Sequence, residues 1–238
     1  MNFLLIYPLQ VAYSLVMLVV TSIFDIKSRE VPDKLWIPFI PMVVFTYLEH
    51  EYVNTFVFVY SVVMSVVVLL ALTKVGLMGG ADVVLMALLG LGNPVVLPFF
   101  FPRFSLIGGE SLTVLIYTSL LIALSGVSNL LRNYSHTKGL DTKTRLVLAY
   151  SGKRMKVRDF LNSRFLYPLT VIDDKGNVRL RTTFQVEEDD RVWREKYAEL
   201  VRKGVLKEDT EIWVTWGVPV IPFFLIGYVL SLFVGLPV

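Results

Sequence analysis

Lys74-Val75-Gly76-Leu77-Met78-Gly79-Gly80-Ala81-Asp82-Val83-Val84-Leu85 joins two long apolar segments and sets a carboxylate at the mouth of the second. Asp82 is the only acidic residue between Glu51 and Glu110. A carboxylate so close to hydrocarbon is costly and marks a place where chemistry or ion handling is worth that cost. Gly76, Gly79 and Gly80 predict a loop that turns sharply and lets another backbone come close. Working outward, a second carboxylate, Asp25, closes the first apolar segment of the chain.

The apolar segments decide the fold class. Of the 238 residues, 55% are apolar and only 18% charged. Water-soluble proteins carry about 25% charge, so this chain belongs in a bilayer. Uncharged runs cover Met1–Phe24, Val53–Thr73, Val83–Pro102, Ser111–Leu131 and Ile212–Val238. Each meets or approaches the roughly 20 residues that cross the hydrocarbon core. Leu35–Leu48 has only 14 uncharged residues. Trp36 and Tyr47 near its ends suit an interfacial belt, and Lys34 can snorkel, so it reads as a sixth span. The first run lacks a basic leading region and a small-residue cleavage site, and reads as retained. There is no cysteine, which excludes disulfides and thiolate metal sites.

With six spans, the loops divide their charge unevenly. Lys27, Arg29, Lys34, Lys74 and the 18 basic residues from Arg132 to Lys207 share one side, against Arg103 on the other. The basic side is cytoplasmic by the positive-inside rule, with both termini outside. Asp25 then ends an inward-going helix and Asp82 begins an outward-going one, at one depth on the cytoplasmic rim. Pro32 stops the first helix, Asp33 is placed to cap the next, and Glu49-His50-Glu51 is an acidic outer tip.

The predicted fold is an all-α polytopic membrane protein of six transmembrane helices, with a small α+β cytoplasmic insert before the last. The expected parts are residues 1–132 (spans 1–5), 133–211 (the insert) and 212–238 (span 6). Within the insert, Leu169 to Thr182 reads as a hairpin about Lys175-Gly176-Asn177, and Asp189 to Lys203 as a helix stopped by Gly204. The acidic run Glu187-Glu188-Asp189-Asp190 reads as a solvated helix start or an attractor for a basic peptide. Trp213 and Trp216 read as interfacial anchors, and Pro219 and Pro222 as a break at the inner end of span 6. That break is an ordinary kink, or it exposes backbone with which a substrate strand could pair.

Two carboxylates held close in a poorly solvated site cannot both ionise easily, so one keeps a proton. Such a pair can deprotonate water and protonate a scissile carbonyl, which suffices to hydrolyse a peptide bond. Separate explanations also exist. Asp82 suits a helix cap, and Asp25 a rim residue facing Lys27 or Arg29. A metal would be at most loosely held by oxygen ligands.

Asp25-Ile-Lys-Ser-Arg-Glu-Val-Pro32-Asp33 and Gly79-Gly80-Ala81-Asp82 together resemble the type IV prepilin peptidase family, GxGD-type membrane aspartic proteases. The nearer likeness is to the archaeal preflagellin and prepilin peptidases. Met155-Lys-Val157, Glu211 to Thr215, and Pro219-Val-Ile-Pro222 look like that group as well. The resemblance implies that Asp25 and Asp82 are catalytic, with Gly79, Gly80, Ala81, Pro219 and Pro222 in supporting motifs. It implies removal of short basic leader peptides from preflagellin- and prepilin-like precursors at the cytoplasmic membrane face. Expected partners are those precursors and the lipid bilayer, with no nucleic acid, no cofactor and no metal. The pattern departs from the family at Ala81, which replaces a glycine, and at Val84, which replaces a common lysine. It also lacks the cysteine cluster and N-terminal extension of many bacterial members, which favours a peptidase without their methyltransferase activity.

Two other readings compete. A GxGD intramembrane protease with other substrates would carry a Tyr-Asp pair where Phe24-Asp25 stands. A proton- or cation-coupled transporter would need further polar groups at mid-membrane, and the sequence shows none. The glycine-rich loop is expected to move to complete the pair.

Overall fold

The computed structural model describes residues 3–183 and 188–237; Glu187, first in the predicted acidic run, lies outside them. The chain is mostly helical and forms two compact units, residues 1–122 with 219–238, and residues 123–218.

The first unit opens with α1 (Phe3–Ser28), a 3-10 helix (Asp33–Val43) and α2 (Val44–Glu49). It continues with α3 (Thr55–Lys74), α4 (Gly80–Gly92), α5 (Arg103–Leu106) and α6 (Glu110–Asn133). Ile6–Ser28, Thr55–Lys74 and Glu110–Thr137 are, among the described residues, long and apolar enough to cross a membrane. Phe56, Val59, Tyr60, Val63, Val67 and Leu70 are exposed along α3, a face that water would not tolerate and lipid does. The protein is therefore a membrane protein. The 13 residues of α4 are apolar but form a shorter helix.

Three features of this unit differ from expectation. Leu35–Leu48 is not one α-helix, because Pro38 and Pro41 remove amide donors and the chain winds as a 3-10 helix instead. Pro32, not Asp33, occupies the position before that helix, and no side chain caps it. Glu49 is fully buried rather than part of an exposed tip, its carboxylate lying beside the Val95 main chain.

The second unit takes the last turns of α6 and adds α7 (Thr142–Ser151), β1 (Gly152–Lys156), α8 (Val157–Leu161), β2 (Leu166–Pro168), β3 (Thr170–Ile172), β4 (Val178–Leu180), α9 (Asp190–Arg202) and β5 (Glu211–Trp216). The β3–β4 hairpin and α9 form where the sequence predicts them. Gly176 turns the hairpin and Gly204 ends α9, both with positive φ. The Asp189 side chain accepts the Arg191 amide at the start of α9. Strand β5 lies between β1 and β2 in an antiparallel sheet. Phe160, Tyr197, Leu200, Ile212 and Val214 form this unit's own core.

The chain passes from one unit to the other after residues 122 and 218. Ile212 to Trp216 form a strand rather than the start of a helix, because alternate residues Ile212 and Val214 are buried against the insert. The last helix, α10 (Ile221–Val234), is apolar but only 14 residues long and starts only after Pro219. On the other side, the Tyr150 hydroxyl donates to the Ala123 carbonyl (2.6 Å) and its ring covers Gly126, tying the end of α6 to α7.

In the first unit α1 packs along α10 and α3 along α4, with the 3-10 helix against α4. Met17, Leu18, Phe39, Met42, Leu69, Leu85, Met86 and Phe224 fill the space between them. Helix α10 comes close to α6 at Gly227, where an added Cβ would lie 2.5 Å from Thr118 Oγ1 and 3.1 Å from the Thr118 amide nitrogen.

Candidate active site

Asp25 sits in the last turn of α1 and is 9% exposed. The face that buries it is written into α1. Gln10, Ser14, Met17, Leu18, Thr21 and Asp25 are all buried, and their spacing follows one side of a helix. Arg29, with φ of 60°, ends the helix, and its amide closes back onto the Asp25 carbonyl (3.1 Å). The guanidinium of Arg29 lies near enough to act on the Asp25 carboxylate electrostatically.

A carboxylate at the C-terminal end of its own helix opposes that helix's dipole. The structure supplies the compensation from another helix. Asp25 Oδ2 accepts a hydrogen bond from the amide of Ile221 (3.0 Å), the first residue of α10. Helix N-termini offer free amides and favour anions. Pro219 and Pro222 flank this position and have no amide hydrogen, so between them only Val220 and Ile221 can donate. The two prolines thus limit which amides can face Asp25. The Ile221 amide is engaged by Asp25 and is not free for a substrate strand. Ile221 was not singled out from the sequence, where the proline pair was its signal; Arg29 was, as one of the two basic residues that Asp25 could face.

Asp82 is 7% exposed and occupies the third position of α4. Its Oδ2 accepts the Gly79 amide (3.0 Å), and its own amide donates to the Gly79 carbonyl (3.2 Å). Asp82 is therefore a cap of its own helix, as the capping reading required. Thr73 Oγ1, at the end of α3, reaches the same Gly79 carbonyl at 3.5 Å. Of the three loop glycines only Gly76 has positive φ (73°). Gly80 needs no glycine for its conformation, and a Cβ there would meet nothing within 4 Å. Gly79 would bring a Cβ to 3.9 Å from Asp82 Oδ2, ordinary contact. Ala81 already carries that methyl group and packs against the core.

The Asp25 and Asp82 charges lie close enough to interact. Among the described residues no hydrogen bond joins the two side chains; each carboxylate is held by a backbone amide instead.

A second polar group lies at the other end of α4, where the sequence showed no mid-membrane polar cluster. Asn93 donates to Ser14 Oγ (2.9 Å) and to the Leu89 carbonyl (2.7 Å). Its Oδ1 accepts from the Tyr228 hydroxyl (2.7 Å) and from Gln10 Nε2 (3.3 Å). Nearby, Glu110 is buried and accepts from Ser231 Oγ. The Asn93 contacts tie α1, α4 and α10 together, the same helices that carry Asp25, Asp82 and Ile221. Among the described residues, no group of three or more His, Cys, Asp or Glu side chains is placed to hold a metal ion.

Two family models match the chain. One, described as the type IV leader peptidase family, covers residues 12–127 and so both aspartates. The other, described as the archaeal peptidase A24 C-terminus type II, covers residues 144–236 and so both prolines. No match was found among curated proteins.

Proposed function

Since the chain belongs to the type IV leader peptidase family, on its archaeal branch, and is a protease of that kind, we propose that Asp25 and Asp82 are its catalytic dyad. Its substrates are preflagellin- and prepilin-like precursors, from which it removes short basic leaders at the cytoplasmic face. The observation that carries this reading is the arrangement of the two aspartates. Both are buried, they come from different helices, and they interact electrostatically.

In the reaction, one ionised carboxylate takes a proton from water as the water attacks the scissile carbonyl. The other, protonated, donates to the carbonyl oxygen. As the tetrahedral intermediate collapses, the carboxyl that took water's proton gives it to the leaving amine, and the other, now ionised, recovers its proton from a hydroxyl of the intermediate. Backbone amides from Ile221 and Gly79 orient the two carboxylates without competing titratable groups. Movement of the Val75–Met78 loop with substrate would bring the carboxylates together about the water.

The same reading takes six spans, both termini outside, and the dyad and insert in the cytoplasm. The 3-10 winding supports the short second span. Its 11 residues rise about 22 Å at roughly 2.0 Å each. The six residues of α2 add about 9 Å, close to the roughly 30 Å core that an α-helix of this length would not reach.

The test is cleavage of a preflagellin and a prepilin by the purified protein in liposomes, alongside Asp25→Asn and Asp82→Asn. Each variant is expected to stay folded and lose cleavage of both precursors. Full activity in either one refutes the dyad.

A further inference from the structure

The second unit holds a recess of about 370 Å³ that the peptidase reading does not use. It is walled by Asn129, Arg132 and His136 from the end of α6 and the turn after it, and by Lys153, Arg154 and Glu211 from paired strands β1 and β5. Asn133 holds the two walls together by donating to the Gly152 carbonyl (2.6 Å). Three permanent cations thus face one carboxylate.

The ion pairs do not balance them. Glu211 is paired with Arg154, whose guanidinium also lies 5.9 Å from the Trp213 ring centroid. Arg132 and Lys153 have no carboxylate partner among the described residues. Crowding unmatched cations around a cavity costs free energy that an anion in the cavity would return. The basic leader of a precursor is excluded as the occupant by the same charge. Guanidinium and ammonium donors on opposite walls, with the side-chain amide of Asn129 also in the lining, match the several oxygens of a phosphate.

Arg132 lies in the last turn of α6, at the end of a 28-residue apolar helical stretch that is long enough to cross a membrane. Basic recesses at such a level are where anionic headgroups are held. We propose that this recess is a phosphate-binding site, with Arg132 and Lys153 as its principal donors and a lipid headgroup or free phosphate as the source. Occupancy would clamp the end of α6 to the β1–β5 sheet.

The full-length protein is placed in nanodiscs of phosphatidylcholine, and thermal unfolding is followed as inorganic phosphate is added, or as phosphatidylglycerol replaces part of the lipid. Stabilisation by phosphatidylglycerol alone assigns the headgroup source; stabilisation by inorganic phosphate assigns the soluble one. In either case Arg132→Ala/Lys153→Ala is expected to weaken the apparent affinity at least about tenfold, the loss of one or more charge-assisted contacts. Lys143→Ala/Arg202→Ala, which removes two exposed cations elsewhere in the same unit, is expected to leave it unchanged. Both pairs are solvent-exposed, so folding is not at risk. The proposal is overturned if neither anion stabilises the protein, or if the two double variants lose the effect equally, which would mean diffuse charge attraction.

Discussion

Replacing Asn93 with Ala tests whether the buried polar knot holds together the three helices that build the site. Asn93 is 1% exposed and bonds across helices to Ser14 and Gln10 of α1 and to Tyr228 of α10. Interhelical hydrogen bonds in membranes average about 0.6 kcal/mol, because the separated helices find other partners in lipid. Three such bonds give about 2 kcal/mol; the value of about 1 kcal/mol each found in water would raise this to about 3 kcal/mol. The assay is reversible denaturant unfolding in bicelles, read by tryptophan fluorescence, for Asn93→Ala, Tyr228→Phe and the double variant. The Tyr228 hydroxyl donates to Asn93 at 2.7 Å, so its removal is expected to cost less once Asn93 is gone. A cost below about 0.5 kcal/mol for Asn93→Ala, or equal costs of Tyr228→Phe in both backgrounds, would refute the knot as a source of stability.

Gly227→Ala drives a methyl group into Thr118, with both side chain and backbone in the way, and should destabilise by about 1–3 kcal/mol in the same unfolding assay. Thr118→Ala should restore only part of it, because the Thr118 amide remains. Gly80→Ala has open space and an ordinary backbone, so melting should be unchanged or improved by about 0.5 kcal/mol. If a substrate backbone approaches Asp82 there, kcat/KM should nevertheless fall; unchanged cleavage would show that nothing comes so close. In the insert, Asp173 accepts the amides of Lys175 and Asn177 and the Asn177 side chain. These bonds, led by Asn177, hold its carboxyl below the usual range. The hairpin turn therefore gains from this group above about pH 4, the unfolded value, and loses that gain as pH falls through the lower folded value. A carbon-detected NMR titration of the Asp173 carboxyl should show the lowered midpoint, and an unshifted one would count against the turn geometry.

Much of this protein is legible along the chain because a bilayer enforces long apolar runs. Period and composition alone mark α1, α3 and α6. Gln10, Ser14, Thr21 and Asp25 share the buried face of α1, a polar stripe that was not singled out from the sequence. The hairpin and α9 are equally local, set by Gly176, Gly204 and the Asp189 cap. Asp25 and Asp82 stand out because a carboxylate is rare in such surroundings.

What the chain order could not state is where separate segments meet. Whether Leu35–Leu48 winds as α or 3-10 depends on how prolines trade lost amide bonds against packing on α4. Ile212 to Trp216 are apolar enough to begin a helix, and become the central strand only because β1 and β2 supply hydrogen bonds on both sides. The glycines of the Gly79-Gly80 motif fit a sharp turn on paper, yet neither has positive φ; a Cβ would meet open space at Gly80 and only ordinary contact with Asp82 at Gly79. Most of all, Asp25 ends its own helix against the dipole, and only the fold brings the Ile221 amide of α10 to it across the chain. Local sequence determines which residues are apolar, capped or turned, because those preferences act over one or two turns. Tertiary structure decides which amide faces which carboxylate, because that depends on helices that are neighbours in space and far apart in the chain.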